Sequence, residues 1–423
     1  MSNFKNCDVL VLGAGIAGLV AARTLAEAGK SVILVEARDR IGGRILSLSA
    51  QGSDLPIELG AEFIHGRAPE LWQLIEEAGL GNYELDGQFL CFQNYVLTEC
   101  DNSDTFQLLE DLSEDAPDMS FAEWIAQKNA SPANVQSAIS FVEGFNAADA
   151  HRIGTAALAK QQAAEDEIEG FRAFRIEAGY VALAEYLLKK FEQAGGQLSL
   201  STVVQSVTWE RGKVRVRTIS GETIEAAQCV ITLPLGVLQA GSVQFQPAPA
   251  QVLQAAEQLA MGSAKRVTFV FREPFWHAQY PDAGFIFAQN ELPRVWWTPA
   301  PNAAPSLTGW IGGTRALNPA VAEKEDFADV ALRTLAKLFA IPEKQLRELV
   351  VSWHTHDWQR DPFTLGAYSY APKGALHASD AMTKPVESTL FFAGEHTDTT
   401  GHWGTVHGAL RSGLRAAKQI LEA

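Results

Sequence analysis

The sequence predicts an α/β protein in which a doubly wound parallel sheet is interleaved with a second, α+β domain. Three observations carry this expectation. The chain opens on a strand, a glycine turn and a helix; it closes on the same arrangement; and the stretch between alternates helical periodicity with short strands. A strand–turn–helix at each end implies that both termini build one domain and that the middle supplies the other. A chain of 423 residues, 47% of them apolar, suits two such domains better than one core.

The opening strand covers Asp8 to Leu12, the helix runs to about Ala28, and a second strand, Ser31 to Val35, ends at Glu36. Residues 101–118 carry seven Asp or Glu and no Lys or Arg, which reads as a solvated surface segment. Residues 119–195 read as helical, with apolar residues at helical spacing over Val181 to Gln193. Short strands follow: Val203 to Val207 and Val214 to Ile219 around Arg211-Gly212, then Cys229 to Leu233, ended by Pro234. Lys265 to Phe271 alternates as a strand, and Ala328 to Ala340 is helical. The last unit is the strand Thr389 to Ala393, a glycine-rich turn and a helix from Gly408 to Leu421. This order assigns residues 1–70, 195–240 and 380–423 to the first domain, and 71–194 and 241–379 to the second.

Composition narrows the function. A net charge of −16 argues against nucleic acid and anionic membrane surfaces, both of which attract Lys and Arg. Cys7, Cys91, Cys100 and Cys229 form no C-x-x-C pair and no zinc spacing, which fits a reducing, cytoplasmic setting. His354 and His356 share a strand face without an evident third ligand, so no metal is expected. The apolar run Cys7 to Ala22 has no basic cluster before it and is interrupted by glycines, so it does not read as a leader. No membrane anchor is expected after the last helix.

Gly13-Ala14-Gly15-Ile16-Ala17-Gly18 is G-x-G-x-x-G between a strand and a helix. Gly13 makes the tight turn, Gly15 lets backbone approach a pyrophosphate, and Gly18 lets the helix pack closely on the strand. The positive end of the helix dipole, with Ile16 and Ala17, then faces the phosphates. Glu36 follows Gly18 by 18 residues at the end of the second strand, where a carboxylate accepts both ribose hydroxyls. On this motif alone, NAD and FAD both remain open.

After Ala37, a further cofactor-binding candidate, the segment Arg38 to Arg44 decides for FAD. Gly42 and Gly43 allow a second close backbone approach, and Arg38 and Arg44 are placed to neutralise a diphosphate. Here the chain resembles the flavin amine oxidase family: monoamine, polyamine and L-amino-acid oxidases and histone lysine demethylases. The resemblance recurs in ELGAEFIHG (Glu58 to Gly66), TLPLGVL (Thr232 to Leu238), DPFTLGAYSY (Asp361 to Tyr370), FAGE (Phe392 to Glu395) and GTVHGA (Gly404 to Ala409), in family order.

The resemblance implies roles. Glu395 binds the ribityl chain and Val204 holds the adenine through its backbone. Gly60, Ala61, Glu62 and Phe63 line the flavin ring, with Trp358 beside it and Thr405 and Val406 at its pyrimidine end. Lys265 holds a water at flavin N5. Ala367 occupies the place of the cysteine that tethers the flavin in monoamine oxidases, so FAD is expected to be non-covalent. Tyr368 and Thr405 form the two sides of a substrate cage, and His65 resembles the histidine of animal polyamine oxidases, placed to accept a hydrogen bond from a substrate ammonium. Glu62 and His65 together suggest polar partners for distal ammonium groups.

The expected reaction is oxidation of the C–N bond of a small amine by O2, with spermine or an acetylated polyamine as the leading substrate. A monoamine or L-amino acid remains an alternative; an amino acid requires an arginine, for which Arg67, Arg172 and Arg294 are candidates. A desaturase of carotenoid or porphyrinogen type and a non-catalytic flavin module are more distant rivals. The oligomeric state is not legible.

Overall fold

The computed structural model describes residues 4–100 and 103–423. Its first sheet is built around parallel strands in the order Gln197–Ser199, Val32–Val35, Phe4–Leu12, Thr223–Ile231, with Leu390–Phe392 pairing the far side of the last. The order runs outward in both directions from Phe4–Leu12, so that strand marks the switch point where a doubly wound sheet opens a crevice. Over Val9 to Leu12 this strand is buried on both faces. Val9 and Val11 pack with the helices Ile16–Glu27, Val181–Gln193 and Val406–Leu421, while Leu10 and Leu12 pack with Trp209, Leu235 and Ala255. Covered strands of this kind read as continuous apolar runs, which is why the sequence showed them clearly. Thr223–Ile231 also joins Val204–Glu210 and Lys213–Thr218 in an antiparallel meander.

A seven-stranded sheet forms the second layer, in the order Val350–His354, Ala264–Phe271, Ser306–Gly312, Val295–Trp297, Ala283–Phe287, Gln88–Gln93, Val96–Glu99. The helix Lys324–Leu338 covers it, with Phe327, Ala331 and Leu335 buried against Val267, Phe269 and Trp296. A small sheet, Ile64–His65, Ala173–Ile176 and Asn82–Glu84, links the layers. Among the described residues, no helix is long and apolar enough to cross a membrane.

Several expectations are corrected. The helix Pro69–Glu77, assigned from residue 71 onward to the second domain, and the helix Val181–Gln193, assigned wholly to it, pack into the first core through Leu71, Leu74, Ile75, Leu183 and Leu187. Residues 119–195 are interrupted by the strand Ala173–Ile176, whose four residues are too few to break a helical period. The acidic segment contains the helix Ser103–Glu110, whose Leu109 is buried; Asp101 and Asn102 lie outside the described residues. Asp118 is structural, accepting from the amides of Ala156 and Gly374 at 3.1 and 2.6 Å. Cys91 and Cys100 are joined in a disulfide across the hairpin Gln88–Glu99, with Cα atoms 5.1 Å apart. The spacing of the four cysteines was read as fitting a reducing setting. Strand pairing, invisible in their spacing, brings these two together, and the cysteine argument for a reducing setting falls with it.

Candidate active site

The first glycine turn shows why this motif cradles an anion. Gly13 has φ +104°, a left-handed conformation that side chains resist, and a Cβ on Gly18 would lie 1.9 Å from Gly13 O. The helix that follows has Gly15 at its N-cap, with no capping side chain and no acidic residue in its first turn. Its leading amides are therefore left for a ligand. Glu36, 6% exposed, accepts from the amides of Ala14 at 2.8 Å and Arg38 at 2.9 Å, which fixes its carboxylate at the strand end.

These groups open onto one cavity of about 1360 Å³, larger than the roughly 300–1,000 Å³ usual for a small-ligand pocket. It is lined by Gly13, Gly15, Ile16, Ala17, Glu36, Ala37, Arg38, Gly43 and Arg44, and equally by Gly60, Ala61, Glu62, Phe63, Val204, Trp358, Glu395, Thr405 and Val406. His65, Ala367 and Tyr368 share the same wall. The structure thus brings together residues up to 393 positions apart (from Gly13 to Val406). Gly18 is not in the wall, consistent with a packing role. A cavity of this size that meets a bare helix end, a ribose-type carboxylate and two glycine turns fits a dinucleotide.

Charges inside the cavity are largely paired. Arg44 donates to Glu395 Oε1 at 2.7 Å and to Ala367 O at 2.9 Å. Burial would raise the Glu395 carboxyl, but Arg44, His396 and Ser369 together hold it below its ordinary value. Trp358 donates its indole N–H to Leu59 O at 2.8 Å, which sets the ring in the wall. Thr405 spends its hydroxyl on structure: it accepts from Gly408 N at 3.0 Å and donates to His402 O at 2.7 Å, capping the last helix. The methyl is the part of the side chain not spent on this cap. Tyr368 donates its hydroxyl to Phe145 O at 2.6 Å and presents its ring; a Cβ on Gly404 would stand 2.7 Å from that ring.

Three expected roles move. Lys265 does not line the cavity: its Nζ donates to Val321 O at 2.6 Å and Ala322 O at 3.0 Å, with Asp357 3.8 Å away. Successive residues of a strand face opposite sides, and Arg266 is the one directed inward, 3% exposed. Arg266 donates to Gly60 O at 2.9 Å and to Glu62, and its Nε has no partner. Arg38 is not free for a diphosphate, since Asp361 holds it at two distances of 2.8 Å and Thr364 at a third. Glu62 is not free for an ammonium, because Arg266, Arg175 and the Trp297 indole N–H all converge on it. Burial pushes Arg266 down to about 10 and, with Arg266 beside it, Arg175 to about 9.

His65 stays in the cavity wall between Phe63 and Phe145, ring centroids 6.0 and 5.5 Å away, and burial pushes it down to about 4. Of the three candidate arginines, Arg67 stacks on Trp72 and Phe174, and Arg172 is held by Glu84 and Glu169. Arg294 alone of these lines the cavity, its Nε donating to Gln289 O at 2.6 Å. The aromatic wall of Phe89, Phe141, Phe145, Phe285, Trp297 and Trp310 was missed, as was Arg266. An arginine directly preceding the mostly apolar run Val267 to Phe271 was the available signal for the latter.

Fold and site together define a dinucleotide-dependent oxidoreductase of the flavoprotein type, with a second, aromatic chamber joined to the cofactor cradle. Residues 16–421 match the flavin containing amine oxidoreductase family, and the chain belongs to it. FAD is the cofactor of this family. Similar proteins include Polyamine oxidase 2 of Arabidopsis thaliana, 28% identical over 98% of this chain and 88% of that one. Amine oxidase [flavin-containing] B of Homo sapiens is 26% identical over 100% and 87%. Among solved structures, wild-type putrescine oxidase bound to putrescine superposes with a TM-score of 0.85 at 21% identity, covering 99% of this chain and 100% of that one.

Proposed function

We propose that the protein oxidises the C–N bond of a polyamine, such as spermine or an acetylated polyamine, with O2, giving an aminoaldehyde, a shorter amine and hydrogen peroxide. The observation that carries this reading is the continuity of the cavity. The cradle of Gly15, Glu36 and Glu395 runs directly into a chamber walled by Phe63, Phe145, Trp297, Trp310 and Tyr368. Aromatic walls bury methylene chains and attract alkylammonium groups to the ring faces. Glu110, Glu143, Glu165 and Asp166 line the same cavity and favour a cationic guest over a neutral one.

Bound FAD supplies a two-electron acceptor beside the substrate. The protein orients the amine and keeps the chamber dry. Tyr368 and the Thr405 methyl set the approach of the reacting carbon. His65, neutral at working pH because burial holds it near 4, accepts a hydrogen bond from an ammonium rather than repelling it. Ala367, with no sulfur, leaves FAD held by non-covalent contacts alone.

A second reading, oxidation of an apolar monoamine, is favoured by one observation: Glu62 is already neutralised by two guanidiniums and offers a distal ammonium nothing. Peroxide release with spermine, spermidine, benzylamine, tyramine and L-amino acids separates the two. Spermine is expected to be at least about tenfold more efficient than benzylamine, a gap of about 1.4 kcal/mol in transition-state binding. His65→Ala is expected to lower spermine efficiency and leave the flavin spectrum intact. Faster turnover of benzylamine rejects the polyamine reading in favour of the second, and preference for an amino acid points to Arg294.

A further inference from the structure

Beside His65 lies a cluster that the redox site does not use. Glu165, on the helix Thr155–Glu167, has both carboxylate oxygens closed off from solvent and without a hydrogen-bond partner. It presses on Gly170, where a Cβ would stand 2.0 Å from Oε2. Gly170 in turn abuts Gly66, the neighbour of His65: a Cβ on Gly66 would meet Gly170 Cα at 2.9 Å. One oxygen of Glu165 and one ring nitrogen each of His402 and His407 lie within 4.8 Å of one another. His407 is 2% exposed, its Nε2 also lacks a partner, and it lines the cavity together with Glu165. It comes two residues after Thr405 of the cage.

A carboxylate among imidazoles invites a metal, but this donor set does not suit one. Arg411 NH1 is 2.8 Å from His402 Nδ1. A guanidinium only donates, so Nδ1 is the acceptor, and Nε2 carries the hydrogen that reaches Ala164 O at 3.2 Å. His402 then has no lone pair for a cation, and Arg411 places a positive charge alongside. What remains is an unpartnered carboxylate near an imidazole whose Nε2 is unpartnered, on the wall of a cavity suited to amines.

We propose that Glu165, reached through His407, takes the proton from the substrate ammonium before oxidation. The proposal rests on the amine oxidase reading above. The step is a proton transfer in which the secondary ammonium R2NH2+ protonates His407, which passes the proton to Glu165. It leaves a neutral amine, a neutral imidazole and a carboxylic acid, and no electrons move. Burial, with Asp166 adjacent, pushes Glu165 up to about 7, against the opposing pull of Arg411. Glu70 partly balances Arg411 at 3.1 Å. Burial, His402, Arg411 and His65 hold His407 well below its ordinary value. The imidazole therefore relays the proton and the carboxylate keeps it. A carboxyl titrating near neutrality is an anion, and so an acceptor, above that pH and loses this capacity below it.

The test is Glu165→Gln in the FAD-bound enzyme. With spermine, kcat/KM at about pH 8 is expected to fall about a hundredfold, the scale of general-base catalysis. The deficit should close as pH approaches the amine's own pKa of about 10, where neutral substrate arrives unaided. A deficit equal at every pH, or none, overturns the proposal. Should the variant lose its flavin, the wild-type enzyme decides. Binding of 2-phenylpropan-2-amine, which has no α-hydrogen, is followed by infrared difference spectroscopy at about pH 8, where Glu165 starts as the anion. A new carboxylic-acid C=O band that appears with the bound amine supports Glu165 as the holder, and its absence overturns it. If no amine reduces the flavin anaerobically, the amine oxidase reading itself has failed.

Discussion

Replacing Glu62 by Gln tests how the chamber beside the cofactor is held. Glu62 is 5% exposed and receives Arg266, Arg175 and the Trp297 indole N–H, while Arg266 is 3% exposed and also ties Gly60 O. Glutamine keeps the shape and one acceptor oxygen but removes the charge that both guanidiniums share. Removing one partner from a buried ion pair costs about 3–5 kcal/mol, because the other charge stays buried without compensation. That is a large part of a typical stability of about 5–15 kcal/mol. The assay is urea unfolding of FAD-bound Glu62→Gln, Arg266→Met and the double variant. Arg266 has little left to lose once its carboxylate is gone, so the double variant should be more stable than the sum of the singles predicts, by at least about 1 kcal/mol. Additivity within about 0.5 kcal/mol, or a Glu62→Gln loss below about 1 kcal/mol, would refute the shared-charge account.

Glu36→Ala should weaken FAD binding by about 1.5–3 kcal/mol through lost charge-assisted hydrogen bonds, read as flavin loss on dilution; unchanged occupancy would remove Glu36 from the ribose. Lys265→Met should leave flavin reduction by substrate within about threefold of wild type, whereas Arg266→Met should slow it by about tenfold or more, about 1.4 kcal/mol; the reverse order in stopped-flow traces would restore Lys265 to the flavin. Acid precipitation should release FAD into the supernatant because Ala367 supplies no sulfur, and yellow pellets would contradict that.

Local chemistry was legible in the sequence. Gly13, Gly15 and Gly18 between an apolar strand and a helix admit few other structures, and Glu36 follows at the length of one helix and one short strand. Both ends of the chain showed their strand–helix units because strands covered on both faces have no polar interruptions to blur them. The motifs from Arg38 to Ala409 supplied family, cofactor and most of the cavity wall. Tertiary structure alone decided which side chains are free to act. Arg38 is claimed by Asp361, 323 residues away, and Glu62 by Arg175 and Arg266. Lys265 and Arg266 exchange places because Ala264–Phe271 is buried along nearly its whole length, which hides the alternation that would tell inward from outward. Cys91 meets Cys100 only through a hairpin register, and Glu165 meets His407 only where two distant helices converge on one cavity. A sequence displays residue types and their near neighbours. The partner that neutralises a charge, or leaves it bare, is chosen by long-range packing.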